Sequence, residues 1–305
     1  MGNVIDGKKI ASGINEDTKK EIKKLKAKYN QCPCLATIVA GTDDPTKVYV
    51  KKREKICEEI GIISKMHSLP DDSKEKDVPE LIGKLNNDEN VHGIIVQLPL
   101  PKHIDKRKIS EAVSPEKDVD CLNPLNIGRL ASGDEIVAPC TPKAVIAILE
   151  KSGIKIKGKN VVVVGRSRIV GRPLALMLIN RDATVTICHT KTKNLKEHTR
   201  RADILIAAAG SLGLIKKDMV KENAVVVDVG INVVGKLSNR KFIGRDFTSK
   251  SMLLSLSKIV GDVDFENVKN KTAFITPVPG GVGPVTVAML MKSTVEAFRR
   301  QVVRE

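Results

Sequence analysis

Aromatic side chains are nearly missing from this 305-residue chain: tryptophan is absent and tyrosine occurs only twice. Single-stranded nucleic acid is held largely by bases stacked on aromatic rings, so the net charge of +16 is poor support for such a partner. The lysines are interleaved with acids, as in Lys19, Lys20, Glu21, Lys23 and Lys24, the pattern of a solvated basic surface. No nucleic-acid partner is expected; a basic nucleic-acid-binding protein is the alternative from another class, and an anionic small substrate explains the charge equally well. No apolar run is long enough to span a bilayer, and the polar start Met1 to Ile10 has no signal-peptide core. A cytoplasmic protein without a membrane partner is expected. The six cysteines are scattered, and the closest pair, Cys32 and Cys34, lacks the two-residue spacing of redox and zinc motifs, so reduced thiols and no metal are expected.

The informative residues gather around one strand-to-helix turn. Asn160 to Val164 is a nearly continuous β-branched run, suited to a strand buried on both faces of a parallel sheet. It breaks at Gly165, passes through Arg166, Ser167, Arg168, Ile169, Val170 and Gly171, and resumes after Pro173 as an apolar helix, Leu174 to Leu178. Backbone N–H groups and a helix dipole meet at such a turn, which predicts a bound phosphate. The spacing Gly165, Ser167, Gly171 is not the three-glycine dinucleotide fingerprint, and alone it equally describes an ordinary turn of an α/β sheet. The next strand, Asp182 to Cys188, lacks the acidic residue that would take an NAD ribose hydroxyl; His189, Thr190, Lys191, Thr192 and Lys193 stand there instead. With Arg166 and Arg168 in the first turn, NADP is favoured over NAD.

Strand and helix patterns alternate along the rest of the chain. Gly13 to Lys28 reads as an amphipathic helix, Cys34 to Ala40 as a buried strand, and Thr46 to Ile60 as a helix stopped by Gly61. On that helix Lys52 and Arg53 lie three and four residues beyond Tyr49 and flank its phenol, a placement that is also ordinary for a surface helix. Ile62 to Leu69 resembles a strand, Val78 to Asn86 a helix, and Val91 to Val96 a strand running into Gln97, Leu98, Pro99, Leu100 and Pro101. An amide at the end of a parallel strand either faces the ligand crevice of an open α/β sheet or anchors its loop. Asp118 to Leu130 is an acid-bearing loop, and a helix opening near Pro142 crosses to the nucleotide-binding half. Ala202 to Gly210 and Ala224 to Asn232 are buried strands that reach Gly210 and Gly230, where backbone can approach a cofactor. A last strand, Thr272 to Pro277, leads through a glycine-rich loop into the helix Val285 to Arg300. The segment 235–258 has no clean period and is long for an α/β connection, which predicts an exposed excursion.

Six blocks of residues, in collinear order, closely resemble the bifunctional methylenetetrahydrofolate dehydrogenase/methenyltetrahydrofolate cyclohydrolase family. They are Tyr49 to Gly61, Gly93 to Pro101, Lys117 to Leu130, Pro139 to Pro142, Gly165 to Pro173 and Ile275 to Pro284. The resemblance implies a two-domain α/β fold: a catalytic, folate-binding domain over 1–140 and 280–305, completed by the C-terminal helix, and a Rossmann-like NADP domain over 141–279. It implies a homodimer, folate in the cleft, NADP as cofactor and no metal. It also implies oxidation of 5,10-methylenetetrahydrofolate to the methenyl cation, then hydrolysis to 10-formyltetrahydrofolate. Carried over by position, the catalytic set is Tyr49, Arg53, Gln97 and Asp120, with Asp120 on the pterin ring; Lys52, on nearly the same helix face as Arg53, is a further catalytic candidate. Folate would further meet Val50, Leu98, Pro99, Leu100, Pro277, Gly280 and Gly281. NADP would meet Thr141, Gly165, Arg166, Ser167, Ile169, Val170, His189, Thr190, Ala209, Gly210 and Gly230, with Ile231 and Thr276 near the nicotinamide.

One departure matters for the chemistry. The family pattern places a lysine four residues after the tyrosine, the usual candidate for managing protons during hydrolysis, and here that residue is Arg53. A guanidinium stays protonated and cannot serve as a base. The expectation is a retained dehydrogenase with cyclohydrolase activity weakened or lost; the rival is that Lys52 supplies the missing amine. Among enzymes, the alternative is an NADP-linked dehydrogenase of another anionic metabolite.

Overall fold

In the computed structural model the chain forms two compact units, Ser12–Cys140 with Val287–Glu305, and Met1–Ala11 with Thr141–Thr286. The structure describes residues 2–41, 44–98, 100–237, 240–244 and 258–303, with backbone alone at 44–49, 52, 235–237 and 240–244. Its strands, in chain order, are β1 (Asn3–Val4), β2 (Cys34–Ala40), β3 (Ile63–Leu69), β4 (Gly93–Val96), β5 (Asn160–Val164), β6 (Thr184–Cys188), β7 (Ile204–Ala207), β8 (Ala224–Asp228), β9 (Asn232–Leu237), β10 (Arg240–Gly244), β11 (Lys258–Val260) and β12 (Thr272–Ile275).

The unit containing Thr141–Thr286 is built on six parallel strands in the order β1-β12-β8-β7-β5-β6. Every residue of β7 and β8 is buried, as are Val161 to Val164 of β5, so the valine and isoleucine runs form strands covered on both faces. β6 is the edge strand and leaves Thr184, Thr186 and Ile187 exposed. The chain's first residues pack with this unit: β1 pairs with β12, and the Ile5 N–H donates to the Ile275 carbonyl at 2.8 Å. The glycine-rich loop to Thr286 also packs with this unit. Part of the expected excursion at 235–258 is ordered pairing, since β9 takes β10 on one side and β11 on the other, both antiparallel. Residues 238–239 and 245–257 lie outside the described residues.

The other unit is centred on the parallel sheet β3-β2-β4. β2 is the middle strand and all seven of its residues are buried. Cys34, Ala36, Ile38 and Ala40 join Ile94 and Val96 of β4 and Val78, Ile82 and Leu85 of the helix Asp77–Asn87 in one core cluster. Lys117 closes the end of that helix, its ammonium donating to the carbonyls of Leu85 at 3.0 Å and Asp88 at 2.8 Å, where a cation meets otherwise unpaired acceptors.

His92 gives this unit an acid sensitivity. Its Nδ1 accepts the Cys34 N–H at 3.1 Å and its ring packs edge-on against Phe298. Burial, with help from the Lys117 charge, lowers its pKa from 6.5 to about 4. Between those values the unfolded chain takes up a proton that the folded chain refuses, so stability falls as pH drops through the window. The loss from pH 7 to pH 4 is about 3 kcal/mol for this group. Denaturant midpoints across that range should show it, and His92→Gln should flatten the slope.

Candidate active site

The helix Asp44–Ile60 delivers Arg53 to the interior of the β2-centred unit, where it is 2% exposed. Its Nη2 donates to Thr37 Oγ1 on β2 at 2.9 Å, and its Nη1 to Gln97 Oε1 at 3.3 Å. Gln97 directly follows β4 and its N–H donates to the Ile38 carbonyl at 2.8 Å, which fixes the amide at the carboxyl end of the sheet. Its Nε2 in turn donates to the Leu98 carbonyl at 3.0 Å. Lys117 to Asp120 runs beside β4 through the parallel bridge of Ile94 with Asp118, so Asp120 reaches the same end two residues later. Asp118 holds that loop: its Oδ1 accepts the Leu122 N–H at 3.1 Å, and its Oδ2 accepts the Asn123 N–H and the Asn126 side chain, each at 2.9 Å.

Asp120 Oδ1 accepts the Cys140 N–H at 3.1 Å. Burial pushes its pKa up from 3.8 to about 6, while that hydrogen bond and the Arg53 charge pull the other way. A fixed cation, an oriented amide and a carboxyl that titrates near neutrality therefore meet at one sheet end, and all three are residues the sequence singled out. Thr37 was not among them; its signal was a lone hydroxyl in an otherwise apolar strand. Val50 is 1% exposed and Leu100 lies in the core cluster, so both side chains are occupied by packing, while Leu98 is partly buried against the same cluster. Tyr49 and Lys52 are on the Arg53 helix, but their side chains, and Pro99, lie outside the described residues.

In the six-stranded unit, strand order reverses at β5, with β6 on one side and β7 on the other, and ligands of open α/β sheets bind at the carboxyl ends there. Gly165 follows β5 with φ +136°, and a Cβ on it would run into the Ala208 carbonyl beyond β7. A Cβ on Gly171 would meet the Gly165 carbonyl. The two glycines let the helix Gly171–Ile179 start against the strand end. The expected convergence of free N–H groups is reduced by the helix's own caps. Ser167 Oγ accepts from Val170 N–H at 3.1 Å and Gly171 N–H at 3.4 Å, the Arg172 N–H bonds the Ser167 carbonyl, and Pro173 has no N–H. What the turn still offers an anion is the helix dipole, the Ser167 hydroxyl proton and the exposed side chains of Arg166 and Arg168.

After β6, His189 N–H donates to Thr192 Oγ1 at 2.8 Å and His189 Nδ1 accepts the Lys191 N–H at 3.1 Å, a tight turn that leaves Thr190 and Lys191 exposed. Beyond β7, Asp262 organises the loop: one carboxylate oxygen accepts the N–H of Ala209 and of Gly210, at 2.7 and 2.6 Å. Its other oxygen accepts the Ser211 N–H at 2.7 Å and the Asn232 side chain at 2.9 Å. Asp228 does the same beyond β8, accepting the N–H groups of Gly230, Asp262 and Val263 at 2.9, 3.0 and 2.9 Å. The amides of Ala209, Gly210 and Gly230 are thus held by two buried carboxylates that the sequence reading did not name. The exposed Ile231, at 54%, is left as an apolar cover beside them. Thr276 is 1% exposed and its hydroxyl accepts the Asp228 N–H at 2.8 Å.

Thr141 is half-buried in the first turn of the helix Cys140–Lys151. Pro277, Gly280 and Gly281 lie in the six-stranded unit, where Gly280 has φ +105° and Gly281 packs so closely that a Cβ would meet Thr276 Cβ at 2.8 Å. The glycine cradle at Gly165 and Gly171, the exposed guanidinium groups and the absence of an acid after β6 fit a dinucleotide with an extra phosphate. Among the described residues, no helix is long and apolar enough to cross a membrane.

Two family models match the chain: the catalytic domain of tetrahydrofolate dehydrogenase/cyclohydrolase over residues 5–120, and its NAD(P)-binding domain over residues 139–302. The bifunctional protein FolD of Moorella thermoacetica is 50% identical over 297 residues, covering 97% of this chain and 99% of that protein. The crystal structure of the bifunctional FolD methylenetetrahydrofolate dehydrogenase/cyclohydrolase of Campylobacter jejuni superposes with TM-score 0.89 at 45% identity, over 98% of this chain and 100% of that one. The Trypanosoma brucei enzyme, solved with NADP cofactor and an inhibitor, gives TM-score 0.90 at 38% identity, over 99% of each chain. The chain belongs to the tetrahydrofolate dehydrogenase/cyclohydrolase family.

Proposed function

We propose that this protein oxidises 5,10-methylenetetrahydrofolate to 5,10-methenyltetrahydrofolate with NADP and hydrolyses the product weakly or not at all. The observation that carries the reading is the meeting of Arg53, Gln97 and Asp120 at one sheet end in a member of this family. In it, folate is held by the unit Ser12–Cys140 with Val287–Glu305. NADP occupies the switch point of the other unit. Arg166, Ser167 and Thr190 take the 2′-phosphate, and Ile231 covers the nicotinamide.

NADP supplies the hydride acceptor. The residues' contribution is positioning, since hydride transfer requires the two reacting carbons held face to face. Asp120 accepts pterin N–H groups, Gln97 and Arg53 fix its surroundings, and the Arg53 cation stays charged throughout. Hydrolysis needs a group that gives and takes a proton as water adds to the cationic carbon. A guanidinium cannot do this, and its charge also opposes a cationic neighbour. The protein acts as a cytoplasmic homodimer in this reading. Thermal stabilisation by NADP together with a folate analogue, and not by unrelated acids, tests the assignment.

Asp120 sets the pH dependence of substrate binding. Below about pH 6 its carboxyl is protonated and a poorer acceptor for the pterin, so KM for methylenetetrahydrofolate should rise as pH falls through that value while KM for NADP stays level. Its effect on stability has the opposite sign. Between 3.8 and about 6 the folded chain keeps a proton that the unfolded chain has lost, so this group's contribution declines as pH climbs. Initial rates in both substrates between pH 5 and 8 check the first effect.

A further inference from the structure

We propose that Thr37 is a positioning residue for the folate site, acting through Arg53, and that the two form a matched pair. β2 reads Cys34, Leu35, Ala36, Thr37, Ile38, Val39, Ala40, and every one of these is buried. Thr37, at 1% exposure, is the only side chain in it with an oxygen. A buried hydroxyl in mid-strand is unfavourable unless it is bonded, and valine would fill the same shape on a pleated strand without that cost. The hydroxyl therefore has a purpose other than packing. The even-numbered residues Cys34, Ala36, Ile38 and Ala40 face the core cluster, which turns Thr37 to the opposite face. There its Oγ1 accepts from Arg53 Nη2 at 2.9 Å, shorter than the 3.3 Å bond from Nη1 to Gln97.

The anchor is rigid. Thr37 is β-branched and sits in the central strand, paired with Met66 of β3 and Ile95 of β4. A planar guanidinium with one nitrogen tied to that point has its plane and its second nitrogen set, and the second nitrogen then holds the Gln97 oxygen while Gln97 Nε2 holds the Leu98 carbonyl. The order of the relay is strand, arginine, glutamine, loop. A lysine at position 53 presents a compact ammonium instead of a fork and cannot hold both acceptors in that fixed geometry. The role of Thr37 in catalysis rests on the folate reading of the site; its bond to Arg53 does not.

The test combines steady-state kinetics with a denaturation cycle on the full chain. Thr37→Val should raise KM for methylenetetrahydrofolate about tenfold, the scale of one lost hydrogen bond to a charged group, with KM for NADP unchanged. Thr37→Ser, which keeps the hydroxyl, should restore it. Thr37→Val should lower the urea midpoint in the wild type but not in Arg53→Met, where the partner is already gone. An equal rise in both KM values, no rescue by serine, or the same midpoint loss in both backgrounds would overturn the proposal. A wild type with no dehydrogenase activity but an intact stability cycle would refute the folate reading while leaving the Thr37–Arg53 bond standing.

Discussion

Arg53→Lys should raise the rate of 5,10-methenyltetrahydrofolate hydrolysis by about a hundredfold over the wild type, the scale on which a positioned proton-transfer group acts. The reason is local. Arg53 is buried, holds a permanent charge and has its fork engaged by Thr37 and Gln97. A lysine in its place can lose its proton when desolvated and then give or take one as water adds to the cationic carbon. Hydride transfer at saturating substrate should change by less than about tenfold because no proton passes through this residue in it, while KM for methylenetetrahydrofolate should rise because the fork that holds Thr37 and Gln97 is gone. Hydrolysis followed by the loss of methenyl absorbance measures both variants. Brisk hydrolysis in the wild type with no gain in Arg53→Lys would mean that Lys52 already supplies the amine.

Asp262→Ala should be the most damaging single change in the six-stranded unit. Its carboxylate receives four donors, from Ala209, Gly210, Ser211 and Asn232, and truncation leaves all four donors without it. At 1–3 kcal/mol for each donor stranded away from water, with partial relief from solvent entering the space, a loss of about 4 kcal/mol follows. That corresponds to a fall in Tm of roughly 8–16 °C for a domain of this size. The loops between β7 and β8 and the Asn232 strand lose their common tether, so NADP affinity should drop together with stability while Arg53→Lys leaves it alone. Calorimetry and NADP titration on the same sample read both. An Asp262→Ala protein with wild-type Tm and NADP affinity would show that the tether is not needed.

These effects mark where the sequence was informative and where it was not. β5 and β8 are legible because a strand buried on both faces must be a nearly unbroken apolar run, and the helix Val282–Val302 because its periodicity covers many turns. Arg53, Gln97 and Asp120 were named in advance through their positions in collinear motifs, and the fold does bring them to one sheet end. β1 was missed because two residues carry no period. Thr37, Asp228 and Asp262 were missed for a different reason. Apart from the Gly230 N–H on Asp228, their bonds go to residues 16 to 53 positions away, and a local pattern cannot display a distant partner. Ser167 shows the converse: its place at the phosphate turn is legible in the sequence, but the bonds of its oxygen to the Val170 and Gly171 N–H groups at the helix start are not.

The most direct test follows reduced cofactor and methenyl product as two separate absorbances while the purified protein turns over methylenetetrahydrofolate with NADP. Equal rises in both signals, with the methenyl product persisting in the wild type and decaying in Arg53→Lys, are the predicted result. No rise in reduced cofactor in the presence of both substrates would contradict the assignment of this chain as an active NADP-dependent dehydrogenase, and a rise in reduced cofactor without accumulating methenyl product would contradict weakened hydrolysis.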